Sequence, residues 1–390
     1  MLRLVPFLFV LPLAACSDPA PVSPPPAGKA NCALCEFLGD DKYTIAAGQE
    51  GHESPDSTSA TEADADADST QADSATEAAA DSTQTEADCP LCGFLDDDRY
   101  APAHRFFADA NLEEAVRQAL DLPQGRLTPE DFASLTRLRA SDKAIHSLAG
   151  LEHCTALQGL ELGDNRIADV TPLTNLTNLR DLDLWDNQIV DVTPLANLNS
   201  LRELELRGNR HIADATPIAN LTNLRSLNLG GNQISEVHPL ANLNNLEILW
   251  LWGNRIADVT PLANLTTLRY LHLQSNQISD VDSLAALTDL QWLSLDYNQI
   301  ADVTPLANLT NLEGLSLGQN QVADVSPLAN MTNLRWLDLK ANRIKDLAPL
   351  VANTGLSEGD EVYLRGNPLS TQSLTEHISA LKARGVDVRL

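Results

Sequence analysis

One frame recurs through this chain at an almost invariant step. It can be read at Leu179, Leu182, Leu184, Asn187 and Ile189, and its leading leucine returns at Leu201, Leu224, Leu246, Leu268, Leu290, Leu312 and Leu334. The step is 22 residues, with one exception of 23 ending at Leu224. A unit this small cannot bury its own apolar face, so units must stack and share a core that runs the length of the stack. Leu-x-Leu pairs such as Leu160/Leu162 and Leu249/Leu251 read as short strands with alternate side chains turned inward. Successive strands then align in parallel. The Asn that follows recurs as Asn165, Asn187, Asn209, Asn232, Asn254, Asn276, Asn298, Asn320, Asn342 and Asn367. At a tight corner its amide can donate to and accept from backbone groups that have left the sheet. The next apolar position, Ile167 or Ile189 for example, returns inside. Pro-Leu pairs such as Pro172-Leu173 and Pro261-Leu262 set a turn on the far side, with room for short helical turns only.

This frame resembles the leucine-rich repeat. The expected fold class is α/β: a right-handed leucine-rich repeat solenoid with a parallel concave β-sheet, short helical turns on the convex side, and helical caps at both ends. Residues 157–369 hold the repeats, preceded by an N-terminal cap and degenerate repeat over 103–156 and followed by a C-terminal cap over 370–390. In the first cap, Asp109 can start a helix carrying Leu112, Val116 and Leu120 on one face. Thr128 as N-cap with Pro129 at the first helical position starts a second. Leu135, Leu138, Ile145, Leu148 and Leu151 then form an imperfect repeat without the Asn. The stretches 107–116 and 148–152 look like the cap of bacterial internalin-like leucine-rich proteins, and that resemblance implies protein binding by the concave sheet. At the other end, Thr371 to Arg384 suits a helix burying Leu374, Ile378 and Leu381. Gly385 stops it, and Val386 to Val388 adds an edge strand.

The segment before the solenoid has a different composition. Residues 1–15 read as a signal peptide, with Arg3 ahead of an apolar run from Leu4 to Leu13 that is too short to span a bilayer. Leu13, Ala14, Ala15 and Cys16 resemble the lipobox of bacterial lipoproteins. The resemblance implies cleavage before Cys16, acylation of Cys16, and membrane attachment through that anchor. With Ser17 following, it implies an outer membrane lipoprotein, either surface-exposed or facing the periplasm. Residues 16–102 read as a Pro/Ala-rich and then acidic tether. From Tyr43 to Asp98 there is no Lys or Arg but fifteen Asp or Glu, over half of the net charge of −28. Such a composition extends by self-repulsion and buries little. A net charge of this sign argues against nucleic acid or an anionic membrane surface as partner. The tether carries one motif twice, around Cys32/Cys35 and Cys89/Cys92. Two readings stay open for these four residues: disulfides, favoured outside the cytoplasm, or a structural zinc held by four thiolates. Cys154 reads as a small buried residue.

Function is expected on the outward strand positions. All five Trp residues fall there: Trp185, Trp250, Trp252, Trp292 and Trp336. Tyr270, His272, Tyr297 and Tyr363 join them, and no Phe occurs in the repeats, so the core has no need of aromatics. Exposed Trp and Tyr are the residue types that dominate protein interfaces. Earlier rungs carry Asp181, Asp183, Asp186, Glu203 and Glu205 beside Arg180, Arg202, Arg207 and Arg225, a charged zone able to orient a partner. The extra residue at Arg210-His211 should form a tolerated bulge. The recurring Asp169, Asp191, Asp214, Asp258, Asp280, Asp302, Asp324 and Asp346 read as turn formers. No catalytic constellation or phosphate loop is present. The expectation is a monomeric, non-enzymatic protein that binds a protein ligand and needs no cofactor beyond the zinc left open at the paired motifs; the alternatives are a periplasmic scaffold tied to the outer membrane, or a metal- or redox-responsive module acting through the paired Cys motifs.

Overall fold

The computed structural model describes residues 106–390. The expected signal peptide, Cys16, the expected tether and the paired motifs at Cys32, Cys35, Cys89 and Cys92 lie outside the described residues.

Twelve strands of three residues each form one parallel sheet in chain order. They are β1 Arg137–Arg139, β2 Gly159–Glu161, β3 Asp181–Asp183, β4 Glu203–Glu205, β5 Ser226–Asn228 and β6 Ile248–Trp250, then β7 Tyr270–His272, β8 Trp292–Ser294, β9 Gly314–Ser316, β10 Trp336–Asp338, β11 Glu361–Tyr363 and β12 Asp387–Arg389. The register is set by the frame itself, with Leu160 against Leu182, Leu182 against Leu204, and so on along the stack. The central residue of each strand is a buried aliphatic, and from β2 to β11 the leucine after the strand is buried too. Each full repeat before the last returns through a single 3-10 turn, such as Thr171–Leu173 or Thr260–Asn264, with Pro inside its first turn in all but Asp282–Ala286. The last return is a short α-helix, α3, Ala348–Ala352 (α1 and α2 are in the N-terminal cap).

The Asn ladder is a shared hydrogen-bond system. Asn254 Nδ2 donates to Leu251 O of its own repeat at 3.0 Å and to Leu229 O of the preceding one at 3.0 Å. Asn254 Oδ1 accepts the Ile234 N–H at 3.0 Å. From Leu162 to Leu339 each such Leu carbonyl is therefore served twice, as Leu251 O also accepts from Asn276 at 2.9 Å. The residue before each Asn turns the corner in the left-handed region. Gly253 does so freely at φ 64°, but Tyr297 at 53° and Ala341 at 51° do so at a cost of about 1–2 kcal/mol each.

The 23-residue step breaks this system once. The extra residue lies between Asn209 and Ile212, with Arg210 left-handed at φ 66°. It shifts Ile212 out of the frame that elsewhere delivers an N–H to the next Asn, and Asn232 Oδ1 is buried without a partner. Gln233 closes over the bulge instead, donating to Arg210 O at 2.7 Å. A second, outer ladder, not read from the sequence, also joins repeats: Asn223 Nδ2 donates to Asn199 O and Asn245 Nδ2 to Thr222 O, both at 2.8 Å. The eight recurring aspartates are turn formers: in each, Oδ1 accepts the N–H two residues on, at 2.8 Å for Asp169 and Asp258.

Caps close both ends. Helix α1, Ala110–Ala119, is capped by Asp109, which accepts the Asn111 and Leu112 N–H groups. Its second oxygen accepts the His146 N–H at 2.8 Å, tying the helix to the degenerate repeat. Helix α2, Pro129–Ser134, starts with a capping box between Thr128 and Asp131. Phe107 and Phe132 meet edge to face in the cap core at 5.7 Å, and Cys154 is buried and free. The C-terminal helix differs from expectation in register. It opens with a π turn over Ser373–His377 before α4, Ile378–Ala383. The wider turn rotates Leu374 out to 49% exposure and Ser373 inward. Ser373 Oγ accepts the Leu347 N–H at 3.0 Å and donates to Lys345 O at 2.9 Å, satisfying backbone that the repeat frame no longer covers. Ile378 and Leu381 are buried as expected. The edge strand β12 pairs with β11.

Candidate functional site

Outward side chains stack in rows because the strands are in register. One row runs Ile248, Tyr270, Trp292, Gly314 and Trp336; the next runs Trp250, His272, Ser294, Ser316 and Asp338. The residue after the second leucine adds a third row with Trp252, Gln274, Asp296 and Gly318. The sheet thus gathers Trp250, Trp252, Tyr270, His272, Trp292 and Trp336 on the concave side of β6 to β10. Trp185 stands apart, three repeats earlier after β3.

The tryptophans lie along the sheet rather than projecting from it. Trp185 covers Gly163 of the preceding repeat, Trp252 covers Gly230, and Trp292 covers Gly314 of the following one. A Cβ on Gly314 would sit 2.2 Å from the Trp292 ring. The glycine also lets Trp292 and Trp336, on β8 and β10, stack across β9 with centroids 5.2 Å apart and planes at 25°. Trp336 continues to Tyr363 at 5.7 Å. Trp250 meets His272 edge-on at 6.2 Å. In consequence Trp292 is only 8% exposed and His272 only 6%, so these two build the face more than they offer free area. Tyr297, held at its left-handed corner, is 61% exposed. Trp185, Trp250, Trp252, Tyr270 and Trp336 are half-buried.

A polar strip runs among these rings. Asp296 is held by Ser316 Oγ, by Ser294 Oγ at 2.9 Å and by the Gly318 N–H at 2.9 Å. Burial pushes its carboxyl above the usual range against those hydrogen bonds. Burial likewise drives the His272 imidazole down to about 4 and keeps it neutral. Gln274, Ser294, Asp296 and Ser316 were not singled out from sequence. Their only signal is that they hold, at frame positions used elsewhere by aromatics, small or polar residues.

The charged zone divides into two. On the concave side Arg137 pairs with Asp181 at 3.1 Å, Arg139 with Glu161 at 3.0 Å, and Arg207 lies over the Trp185 ring at 5.0 Å. Burial pushes Asp183 up to about 6 and Glu205 up to about 7, with Arg207 opposing both shifts. Arg180, Arg202 and Arg225 stand one position before the strands. With Ser200, Asn223, Asn245 and Glu247 they line a lateral groove of about 500 Å³. They are thus separated from the carboxylates that adjoin them in sequence. Among the described residues no group of three His, Cys, Asp or Glu is placed to hold a metal ion.

With this geometry in hand, comparisons with known proteins agree on the scaffold. A family model described as leucine-rich repeats (2 copies) matches residues 177–220, 222–264, 266–308, 288–330 and 310–358. Comparison with curated proteins returns no match. Among solved structures, an internalin (inlF) from Listeria monocytogenes is 32% identical, with 74% of this chain and 93% of that chain covered and a TM-score of 0.65. A leucine-rich repeat protein of Leptospira interrogans is 26% identical, covering 68% of this chain and 75% of its own, at a TM-score of 0.59. A plant peptide hormone receptor solved in complex with RGF2 shares the fold at 23% identity and a TM-score of 0.56, over 67% of this chain and 45% of that one.

Proposed function

Given that this chain belongs to the internalin-like leucine-rich repeat family, we propose that it is a non-catalytic protein-binding module whose concave face holds the partner. One observation carries the reading: apart from Trp185, the aromatic residues of the repeats gather on the concave side of β6 to β11, where no core packing demands them. Trp and Tyr there combine large contact area with few rotatable bonds, the combination that makes binding hot spots. The acidic and arginine zone on β2 to β5 supplies orientation rather than bulk affinity.

In this proposal Cys16 carries a lipid anchor, residues 16–102 hold the solenoid away from the outer membrane, and the partner is met outside the cell. A photo-crosslinking residue placed at Tyr297, compared with one at Thr260 on the convex side, tests the face. Discrete protein adducts from position 297 and none from 260 support it; the reverse pattern, or equal adducts, sinks it. Protease shaving of intact cells tests the location. Release of the solenoid with a periplasmic control protected supports an external partner. Protection until the outer membrane is permeabilised redirects the search to a periplasmic scaffold.

A further inference from the structure

Among the described residues, two of the buried side-chain atoms without a hydrogen-bond partner lie in one repeat on the concave side: His272 Nε2 and Gln274 Oε1. His272 ends β7 and Gln274 follows one residue later, with inward-facing Leu273 between them. Alternation therefore turns both onto the concave face. Native proteins leave few buried polar atoms unpaired, because each forfeits its bond to water and gains nothing in return. Here two such atoms belong to successive outward positions of one repeat, at the centre of the aromatic group. Trp250 flanks His272 along its row. Trp252 occupies the corresponding place beside Gln274, and Trp292 lies on the next strand.

We propose that His272 and Gln274 together recognise the primary amide of an Asn or Gln side chain in an extended peptide partner. This rests on the concave-face reading above and names what that face selects. A primary amide carries two N–H donors and one C=O acceptor on a rigid plane, so it answers Gln274 Oε1 with an N–H and His272 Nε2 with its C=O or its second N–H, whichever ring nitrogen bears the proton. A single hydroxyl oxygen would have to reach both atoms from one point. A carboxylate finds no positive charge, because burial keeps His272 neutral, and it meets the Asp296 carboxyl on the next repeat. An ammonium group would call on that carboxyl, whose oxygens are already bonded to Ser294, Ser316 and Gly318. Neither atom is open to solvent on the free face, so the half-buried Trp250 and Trp252 rings shift to admit the amide and then shield it, which makes each hydrogen bond count for more. They also offer flat apolar walls to the rest of the peptide.

The test uses the full chain, panned against a displayed library of random peptides, with Kd measured for the selected peptide. His272→Leu and Gln274→Leu should each weaken it about tenfold or more, as expected where a site built to hydrogen-bond is left unpaired. Scanning the peptide by Asn/Gln→Leu exchange should find one side-chain amide whose loss weakens binding to the wild type equally, while N-methylation of the backbone at that residue should not reproduce the loss. The same Asn/Gln→Leu exchange should have little effect on the His272→Leu protein, because the two losses concern one interaction. Unchanged affinity in both variants, with binding lost in Trp250→Ala, overturns the amide site and leaves the concave face standing. Unchanged affinity in Trp250→Ala as well overturns the concave-face reading itself. A library that yields no peptide, while N-acetylated oligosaccharides are retained, overturns the assignment to a peptide.

Discussion

Replacing Asn254 by Ala should destabilise the solenoid more than replacing Asn232 by Ala, although both asparagines stand at the same corner of adjoining repeats. The side chain of Asn254 is 8% exposed and that of Asn232 is 7% exposed, so burial does not separate them. Their donor bonds are alike: Asn254 Nδ2 reaches Leu229 O and Leu251 O at 3.0 Å each, and Asn232 Nδ2 reaches Leu206 O at 3.1 Å and Leu229 O at 3.0 Å. Those carbonyls survive either loss, because each keeps a second Asn. Leu251 O retains Asn276 and Leu206 O retains Asn209, both at 2.9 Å. The difference lies in the acceptor. Asn254 Oδ1 takes the buried Ile234 N–H, whereas Asn232 Oδ1 takes nothing. Orphaning one buried donor costs about 1–3 kcal/mol, and weakening two shared bonds adds about 1 kcal/mol. Asn254→Ala should therefore cost about 2–4 kcal/mol and Asn232→Ala about 1 kcal/mol. Urea unfolding followed by far-UV circular dichroism gives the totals. Amide hydrogen exchange localises them, since repeat stability is coupled chiefly to neighbours. Exchange at Ile234 should accelerate in the first variant. An equal or larger loss for Asn232→Ala would refute the argument that the 23-residue repeat has disarmed this one acceptor.

Three further outcomes follow from the same structure. Glu205 is pushed up to about 7 by burial, so between its ordinary value and 7 the folded state binds more protons than the unfolded one, and stability falls as pH rises through that window. Tm should drop from pH 4.5 to 7.5, and Glu205→Gln should flatten part of that slope; an unaltered slope in the variant contradicts the assignment. Gly314→Ala would set a Cβ 2.2 Å from the Trp292 ring, which must leave its stack on Trp336; a red-shifted tryptophan emission and a loss of about 1–3 kcal/mol are expected, and an unchanged spectrum would count against the Trp-on-Gly arrangement. Leu374→Glu should change stability by less than about 0.5 kcal/mol, while Ser373→Leu should destabilise clearly by orphaning the Leu347 N–H; the opposite order in thermal unfolding would restore the plain α-helical register.

The period settled most of the fold before any coordinate was known. A unit of 22 residues with leucines two apart must place its neighbours in parallel, and the corner Asn then has only backbone to bond. The strands, the aspartate turns, the caps at Asp109 and Thr128 and the β12 edge were legible for this reason: each depends on residues a few positions apart. What only the tertiary structure decided depends on neighbours 22 or more residues away. Trp292 is covered because the next repeat happens to carry Gly314 and the one after it Trp336; no local rule distinguishes it from exposed Tyr297. Arg180 and Asp181 adjoin in sequence yet line different surfaces, because Arg180 lies on the loop leading into β3 at the edge of the sheet while Asp181 is the first residue of the strand itself. Ser373 displaced Leu374 from the core because the last repeat left backbone groups that only a hydroxyl could satisfy. The pairing of His272 with Gln274 at the centre of the face belongs to the same class. Burial, not residue type, left their polar atoms unanswered, and burial is a property of the assembled stack.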